Sequence, residues 1–196
     1  TFAAMILPIV AYGNPILRKV AEEIDPDYPG LEQLIADMWE TMYASNGVGL
    51  AAPQVNKSIR LFVVDSQQVF ESMEPDDEDR DKYPDAPGIK KVFINAYIKE
   101  LGGTPWSYSE GCLSIPKIRE DVQRPETVTL EYEDESFELH TETFTGLSAR
   151  IILHEYDHIE GKLFIDHLPP LRRKLLQSKL KDIASGKVKV HYKMMR

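Results

Sequence analysis

With 196 residues, 42% of them hydrophobic and 28% charged, the chain has the makings of one soluble globular domain, 1–196, with a substantial core. Its single cysteine excludes an intrachain disulfide and suits a reducing, cytoplasmic setting, and no run approaches the roughly 18 apolar residues of a membrane span. The net charge of −9 hides an asymmetry: residues 171–196 carry nine Lys or Arg against one acid, Asp182, so the acidic body is unsuited to DNA while the tail could meet a polyanion.

The apolar stretch Phe2 to Val10 has no basic residue before it and ends in Tyr12-Gly13-Asn14-Pro15, which is not a signal-peptide pattern. Met5 reads as the natural start, and Ile6 to Val10 as a short strand. Leu31, Leu34, Ile35, Met38, Met42 and their neighbours keep helical spacing, which predicts a helix over 31–44 that packs one face. The run Gly47-Val48-Gly49-Leu50-Ala51-Ala52-Pro53-Gln54 is too small to build a core; it suits either a tight turn or a backbone that something approaches closely. No Gly-Lys-Ser/Thr follows, so it is not a phosphate loop. A strand is expected over 59–65.

Residues 66–91 then crowd eight acids among Pro75, Pro84 and Pro87, and read as a long, mobile, solvated loop inserted at about 66–91; the spacing is not that of a calcium loop. Strands resume over 92–98 and 104–108, a bend holds Cys112 within 110–116, and 127–132 with 137–144 alternate like a hairpin. From Thr145, read as N-cap, to Gly161, read as stop, Leu147, Ala149, Ile151, Ile152 and Leu153 cover most of a helix circumference, so that helix should run buried through the core. A basic C-terminal helix and tail occupy about 170–196, with Leu171, Leu175 and Ile183 as the expected apolar stripe and Val188 and Val190 as a closing strand or frayed end. The class is therefore α+β, with antiparallel or mixed sheets packed around a central buried helix, and one helix toward each end of the chain.

That central helix carries His154-Glu155-Tyr156-Asp157-His158. Two histidines four apart lie on one helix face and can share a metal ion, and the intervening glutamate suits a general base for a water held there. A catalytic metal usually takes a third protein ligand. Position 164 is Phe, so the pattern with a third histidine downstream fails, and Glu160 is the last glutamate of the chain. Asp166 and His167 stay open, while His140 and His191 sit on strand-like stretches and read as structural. Cys112 is the best candidate, because it lies on a glycine-flanked bend rather than inside an apolar run, and thiolate with two imidazoles favours zinc or ferrous iron.

Three stretches, Gly47 to Gln54, Glu110-Gly111-Cys112-Leu113-Ser114 and His154 to His158, together resemble the motifs of the peptide deformylase family, in the family's order. Asn14-Pro15-Ile16-Leu17-Arg18 and Gly161-Lys162-Leu163-Phe164 extend the likeness over about 6–170, although Leu153 stands where many members have glutamine. The resemblance implies a metal-dependent hydrolase that removes the N-formyl group from the initiator methionine of nascent peptides and releases formate. It implies Cys112, His154 and His158 as ligands of one divalent ion, ferrous iron in the cell, with zinc, nickel or cobalt able to substitute. Glu155 becomes the proton carrier, and Gln54 with the Leu113 backbone N–H the oxyanion donors. Val48, Gly49 and Gly111 would run beside the peptide, Arg119 would touch it beyond the methionine, and Arg150 with Ile151 would line the methionine pocket. Glu110 and Arg124 would brace the cysteine bend. A metallo-endopeptidase using the same helix is the alternative activity, a decayed binding module a more distant one, and the basic tail is a candidate ribosome contact. Neither a membrane nor DNA is an expected partner.

Overall fold

The computed structural model describes residues 3–196; Thr1 and Phe2, at the start of the stretch read against a signal peptide, lie outside the described residues, as do the side chains of Asp79 and Asp81. In chain order the elements are β1 (Ile9–Val10), α1 (Leu31–Ala44), β2 (Gly49–Ala51), β3 (Leu61–Asp65), α2 (Gln67–Glu71), α3 (Glu78–Asp81), β4 (Lys90–Gly102), β5 (Trp106–Cys112), β6 (Ile115–Arg124), β7 (Thr127–Glu133), β8 (Leu139–Thr145), α4 (Gly146–Ile159), α5 (Pro170–Ala184) and β9 (Met194–Met195).

Strand β3 explains the layering. All five of its residues are buried, and the first four form a continuous apolar run rather than an alternating one. Leu61 and Val63 pack with Leu34, Met38 and Met42 of α1, whereas Phe62 and Val64 pack with Ala149, Ile152 and Leu153 of α4. The five-stranded sheet β2-β3-β4-β7-β8, antiparallel throughout, therefore lies between two helices. A third apolar cluster joins Ile115, Ile118 and Val122 of β6 to Phe164 and to Leu176, Leu180 and Ile183. It seats the separate β5–β6 hairpin against the turn at 163–168 and α5.

Several expectations change. The segment 66–91 is not an irregular loop: it holds two short helices, buries Phe70, and is closed at its neck by Ser66 N–H to the Ile89 carbonyl at 2.9 Å and Ile89 N–H to Ser66 Oγ at 2.8 Å. Phe70, Tyr83 and Trp106 form an aromatic contact chain that offsets part of the ordering cost of so acidic a stretch. Strand β6 went unread because Pro116 and the charges of 117–124 mask an alternation in which Ile118 and Val122 point inward. The stripe of α5 is Leu176, Leu180 and Ile183; Leu171 and Leu175 are exposed. The closing strand is Met194–Met195, paired in parallel with Ile9–Val10, and Val188 and Val190 precede it without joining a strand.

The start of α4 departs from the expectation too. Thr145 stands at the N-cap, but its side chain caps nothing. Asp85 instead reaches in from the acidic segment, its carboxylate accepting from Leu147 N–H at 3.1 Å, Ser148 N–H at 2.8 Å and Ser148 Oγ at 2.6 Å. A carboxylate at that end meets both the unpaired N–H groups and the positive end of the helix dipole. Gly146 leaves room for it: its φ is +57°, and a Cβ there would overlap the Asp85 carboxylate.

Candidate metal centre and active site

Three elements converge beside a cavity of about 790 Å³: the edge strand β2, the end of β5, and the buried helix α4. Helical spacing stacks His154 above His158, with ring centroids 5.4 Å apart, and both face the Cys112 bend of β5. One ligand atom each from Cys112, His154 and His158 lies within 4.8 Å of the others. His158 Nε2 is 3.4 Å from Cys112 Sγ. Asp166 and His167, the alternatives in sequence, point elsewhere: Asp166 pairs with Arg18 at 2.6 Å, and His167 Nε2 meets Asp157 Oδ2 at 2.8 Å. His140 lies on the β7–β8 hairpin beside Asp134, and His191 lies at the cavity rim.

Glu110 organises the bend. Its carboxylate meets His154 Nδ1 at 2.9 Å, Arg124 Nε at 2.7 Å and Arg150 Nη1 at 2.8 Å, and all four side chains are buried. Fixing Nδ1 as the donor turns the Nε2 lone pair of His154 toward Cys112 and orients the ring. Arg124 continues the chain to Asp157 at 2.9 Å, so a charge inside the helix is paired rather than isolated. Burial pushes the Glu110 carboxyl up, but His154 and Arg124 outweigh it and hold it well below the usual carboxylate range.

The same balance acts on the sulfur. Burial raises the Cys112 thiol, yet the facing His158 and His154 bring it from 9.0 down to about 5. Burial likewise depresses His154, while Cys112 and Glu110 pull it well above the ordinary imidazole value. A thiol held low beside an imidazole held high is a charge pattern that a dication coordinated by the same atoms would also satisfy. Two buried atoms of the site, Glu155 Oε2 and His158 Nδ1, have no hydrogen-bond partner among the described residues. Burial lifts Glu155 from 4.5 to about 7, against the pull of His154 and His158. The donor set of one sulfur and two imidazoles, the closeness of those atoms and the unpartnered carboxylate oxygen together fit a catalytic metal with an open position.

The comparisons decide what kind of protein this is. The profile described as polypeptide deformylase matches residues 6–174. A peptide deformylase of Christiangramia forsetii is 54% identical over 190 residues, 97% of this chain and 95% of that protein. The chain belongs to the polypeptide deformylase family. Among solved structures, the peptide deformylase of Legionella pneumophila superposes with a TM-score of 0.76 at 34% identity, covering 94% of this chain and 99% of that one. The class I type b peptide deformylase of Acinetobacter baumannii, solved with Met-Ala-Ser bound, gives 0.73 at 35% identity over 85% of this chain and 100% of that one. Nothing in this pattern supports the endopeptidase alternative, although both activities start from the same pair of histidines.

Around the deformylase site, the other residues read from sequence fall into two groups. Gln54, Val48, Gly49, Gly111, Leu113 and Ile151 line the cavity together. The side chain of Gln54 is fixed: its Oε1 accepts from Ala51 N–H at 3.0 Å, and its Nε2 donates to Ser114 Oγ at 3.1 Å and lies 3.5 Å from Cys112 Sγ. Leu113 and Ser114 form the two-residue turn between Cys112 and Ile115, and the Leu113 N–H has no acceptor among the described residues. Arg119 stands on the exposed rim, bonded to the Ser109 carbonyl at 2.9 Å. Arg150 lines the cavity as well, but not with a free guanidinium. Its guanidinium is tied to Glu110, to the Val122 carbonyl at 2.8 Å and to the Trp106 carbonyl at 2.7 Å, so only its stem is left to line a pocket. Sequence reasoning did not assign Asp157, Asp85 or Tyr192. For Asp157 there was a signal, since a charged residue inside an otherwise buried helix requires a partner.

Proposed function

We propose that Cys112, His154 and His158 hold one divalent metal ion, ferrous iron in the cell, and that Glu155 is the proton carrier of the deformylase reaction. The family is metal-dependent; the reaction removes the N-formyl group of newly made peptides and releases formate. Zinc, nickel or cobalt suits the same sulfur and imidazole set. The observation that carries the reading is the approach of the three ligand atoms to within 4.8 Å beside the unpartnered Oε2 of Glu155. A dication bound there supplies Lewis acidity, which brings a water proton within reach of a base near neutral pH.

On this reading Glu155 takes that proton on its free oxygen and returns it to the departing amine. The Leu113 N–H and Gln54 Nε2 face the formyl oxygen, where negative charge develops in the transition state. Strand β2 is the edge of its sheet, so the backbone of Val48 and Gly49 can pair with an extended peptide, with Gly111 on the opposite side. The methionine side chain fits against Ile151 and the stem of Arg150, and Arg119 meets the residues that follow. The Met-Ala-Ser peptide bound by the Acinetobacter baumannii relative supports a site for short peptides beginning with methionine. Residues 1–196 then act as one catalytic unit.

The deciding assay supplies formyl-Met-Ala peptides and casein to the metal-loaded protein. Formate release with intact casein is expected; cleaved casein without formate would overturn the reading. Stripping the metal with a chelator should abolish formate release, and ferrous iron, zinc, nickel or cobalt should restore it. The excess of basic residues over 171–196 supports contact with ribosomal RNA. Co-sedimentation with ribosomes should therefore weaken as salt is raised, and binding indifferent to salt would count against that contact.

A further inference from the structure

The end of the chain supplies another side of the cavity. After α5 the backbone crosses the cavity, where Lys189, Val190, His191 and Tyr192 line it, before β9 anchors it against β1. Two contacts tie this crossing to opposite rims. The Tyr192 hydroxyl donates to the Leu113 carbonyl at 2.7 Å, and a His191 ring nitrogen lies 3.4 Å from the Asn46 side-chain amide. Asn46 leads into Gly47–Gly49, and Leu113 follows Cys112. A short strap therefore joins the two lips between which the peptide is read to lie. Residues 175–196 lie beyond the stretch matched by the family profile.

We infer that Tyr192 is a positioning residue for formyl hydrolysis, its hydroxyl fixing the two-residue turn from which Leu113 N–H reaches the formyl oxygen. The inference rests on the assignment of Leu113 as a donor in the proposed function. The turn is held at several points. Tyr12 N–H donates to the Ser114 carbonyl at 2.9 Å, and Gln54 Nε2 donates to Ser114 Oγ at 3.1 Å. Both act on the Ser114 side. Among the described residues, the Leu113 carbonyl receives its hydrogen bond from Tyr192. The Tyr192 ring packs with Leu113 against the α1 cluster, so the hydroxyl is presented from a fixed ring. A phenol at neutral pH is protonated and can donate.

Removing the hydroxyl frees the peptide plane that follows Leu113. A donor aimed at charge that develops only in the transition state then loses its alignment, while ground-state binding along the strand edge is kept. The test is Tyr192→Phe in the full-length, metal-loaded enzyme, with formyl-Met-Ala-Ser as substrate. Loss of a whole oxyanion donor costs about 10²–10³ in kcat, so misalignment of one is expected to cost about tenfold. KM should stay within about twofold, because the lost interaction belongs to the transition state. Metal content and melting temperature should match the parent enzyme. An unchanged kcat overturns the inference. So does metal loss in proportion to kcat, since the hydroxyl would then act through Cys112 rather than through the donor. If the parent enzyme itself releases no formate, the functional reading falls as well; an active parent with an unaffected variant sinks this inference alone.

Discussion

An ideal Cβ on Gly49 would lie 2.7 Å from Glu155 Oε1 and 2.9 Å from Glu155 Cγ, so the strand edge and the carboxylate compete for the same space. Gly49→Val should displace Glu155 and obstruct the strand edge, cutting kcat/KM by about 10²-fold, the scale of a 1 Å misplacement in a catalytic constellation. Steady-state formate release measures it, and an undiminished rate would show that the carboxylate has another resting place. Glu155→Ala removes the base but none of the three ligand atoms. It should keep the metal, read by elemental analysis, and lose activity by about 10²–10⁴-fold, the usual reach of general acid–base catalysis. An active alanine variant would refute the proposed proton transfer. The small residues of 47–52 left a tight turn and a close-approach backbone equally open, and nothing local said what approaches them. Glu155 is 106 positions away from Gly49 in the chain.

At the level of single elements, α4 depends on a cap that lies far from it in sequence. Asp85 accepts two backbone N–H bonds and one hydroxyl bond at the start of this helix. Asp85→Ala leaves Leu147 and Ser148 N–H unpaired at a partly buried end and should cost about 1–2 kcal/mol, like the loss of a strong N-cap. Thermal unfolding of the metal-free protein reads this directly. An unchanged melting temperature would mean that Thr145 takes over the cap. The extent of α1, Leu31–Ala44, was legible from apolar residues at helical spacing, and the existence of α4 from an apolar run all round a helix between a cap and a stop. The stripe of α5 was not. Its exposed Leu171 and Leu175 are spaced as regularly as the buried Leu176, Leu180 and Ile183, and only the position of β6 decides which set is covered.

For the molecule as a whole, Arg124 is the junction. From the end of β6 it binds Glu110 of β5 through two nitrogens, at 2.7 and 3.0 Å, and Asp157 of α4 at 2.9 Å. Without Arg124, Glu110 keeps Arg150 and Asp157 keeps His167, but each buried carboxylate loses a charge partner, at up to about 3–5 kcal/mol. Arg124→Leu should therefore lower stability by about that amount in urea unfolding. It should also weaken metal retention by about 10- to 100-fold, because Glu110 orients His154. Retention equal to that of the parent would separate the ion-pair network from the metal site.

The sequence by itself determined the α+β class, the three long helices and the candidate residues of the site. Each of these is written locally: a period of apolar residues, two histidines one turn apart, a lone cysteine on a glycine-flanked bend. The joining of those pieces was decided only in the tertiary structure. The acidic segment caps the buried helix, Arg150 braces Glu110 with its guanidinium while also lining the cavity, and the last residues of the chain cross that cavity. These are contacts between charged or polar groups far apart in sequence. A local pattern records how a segment packs its apolar face, but it carries no trace of which distant partner will satisfy a buried charge or an unpaired N–H.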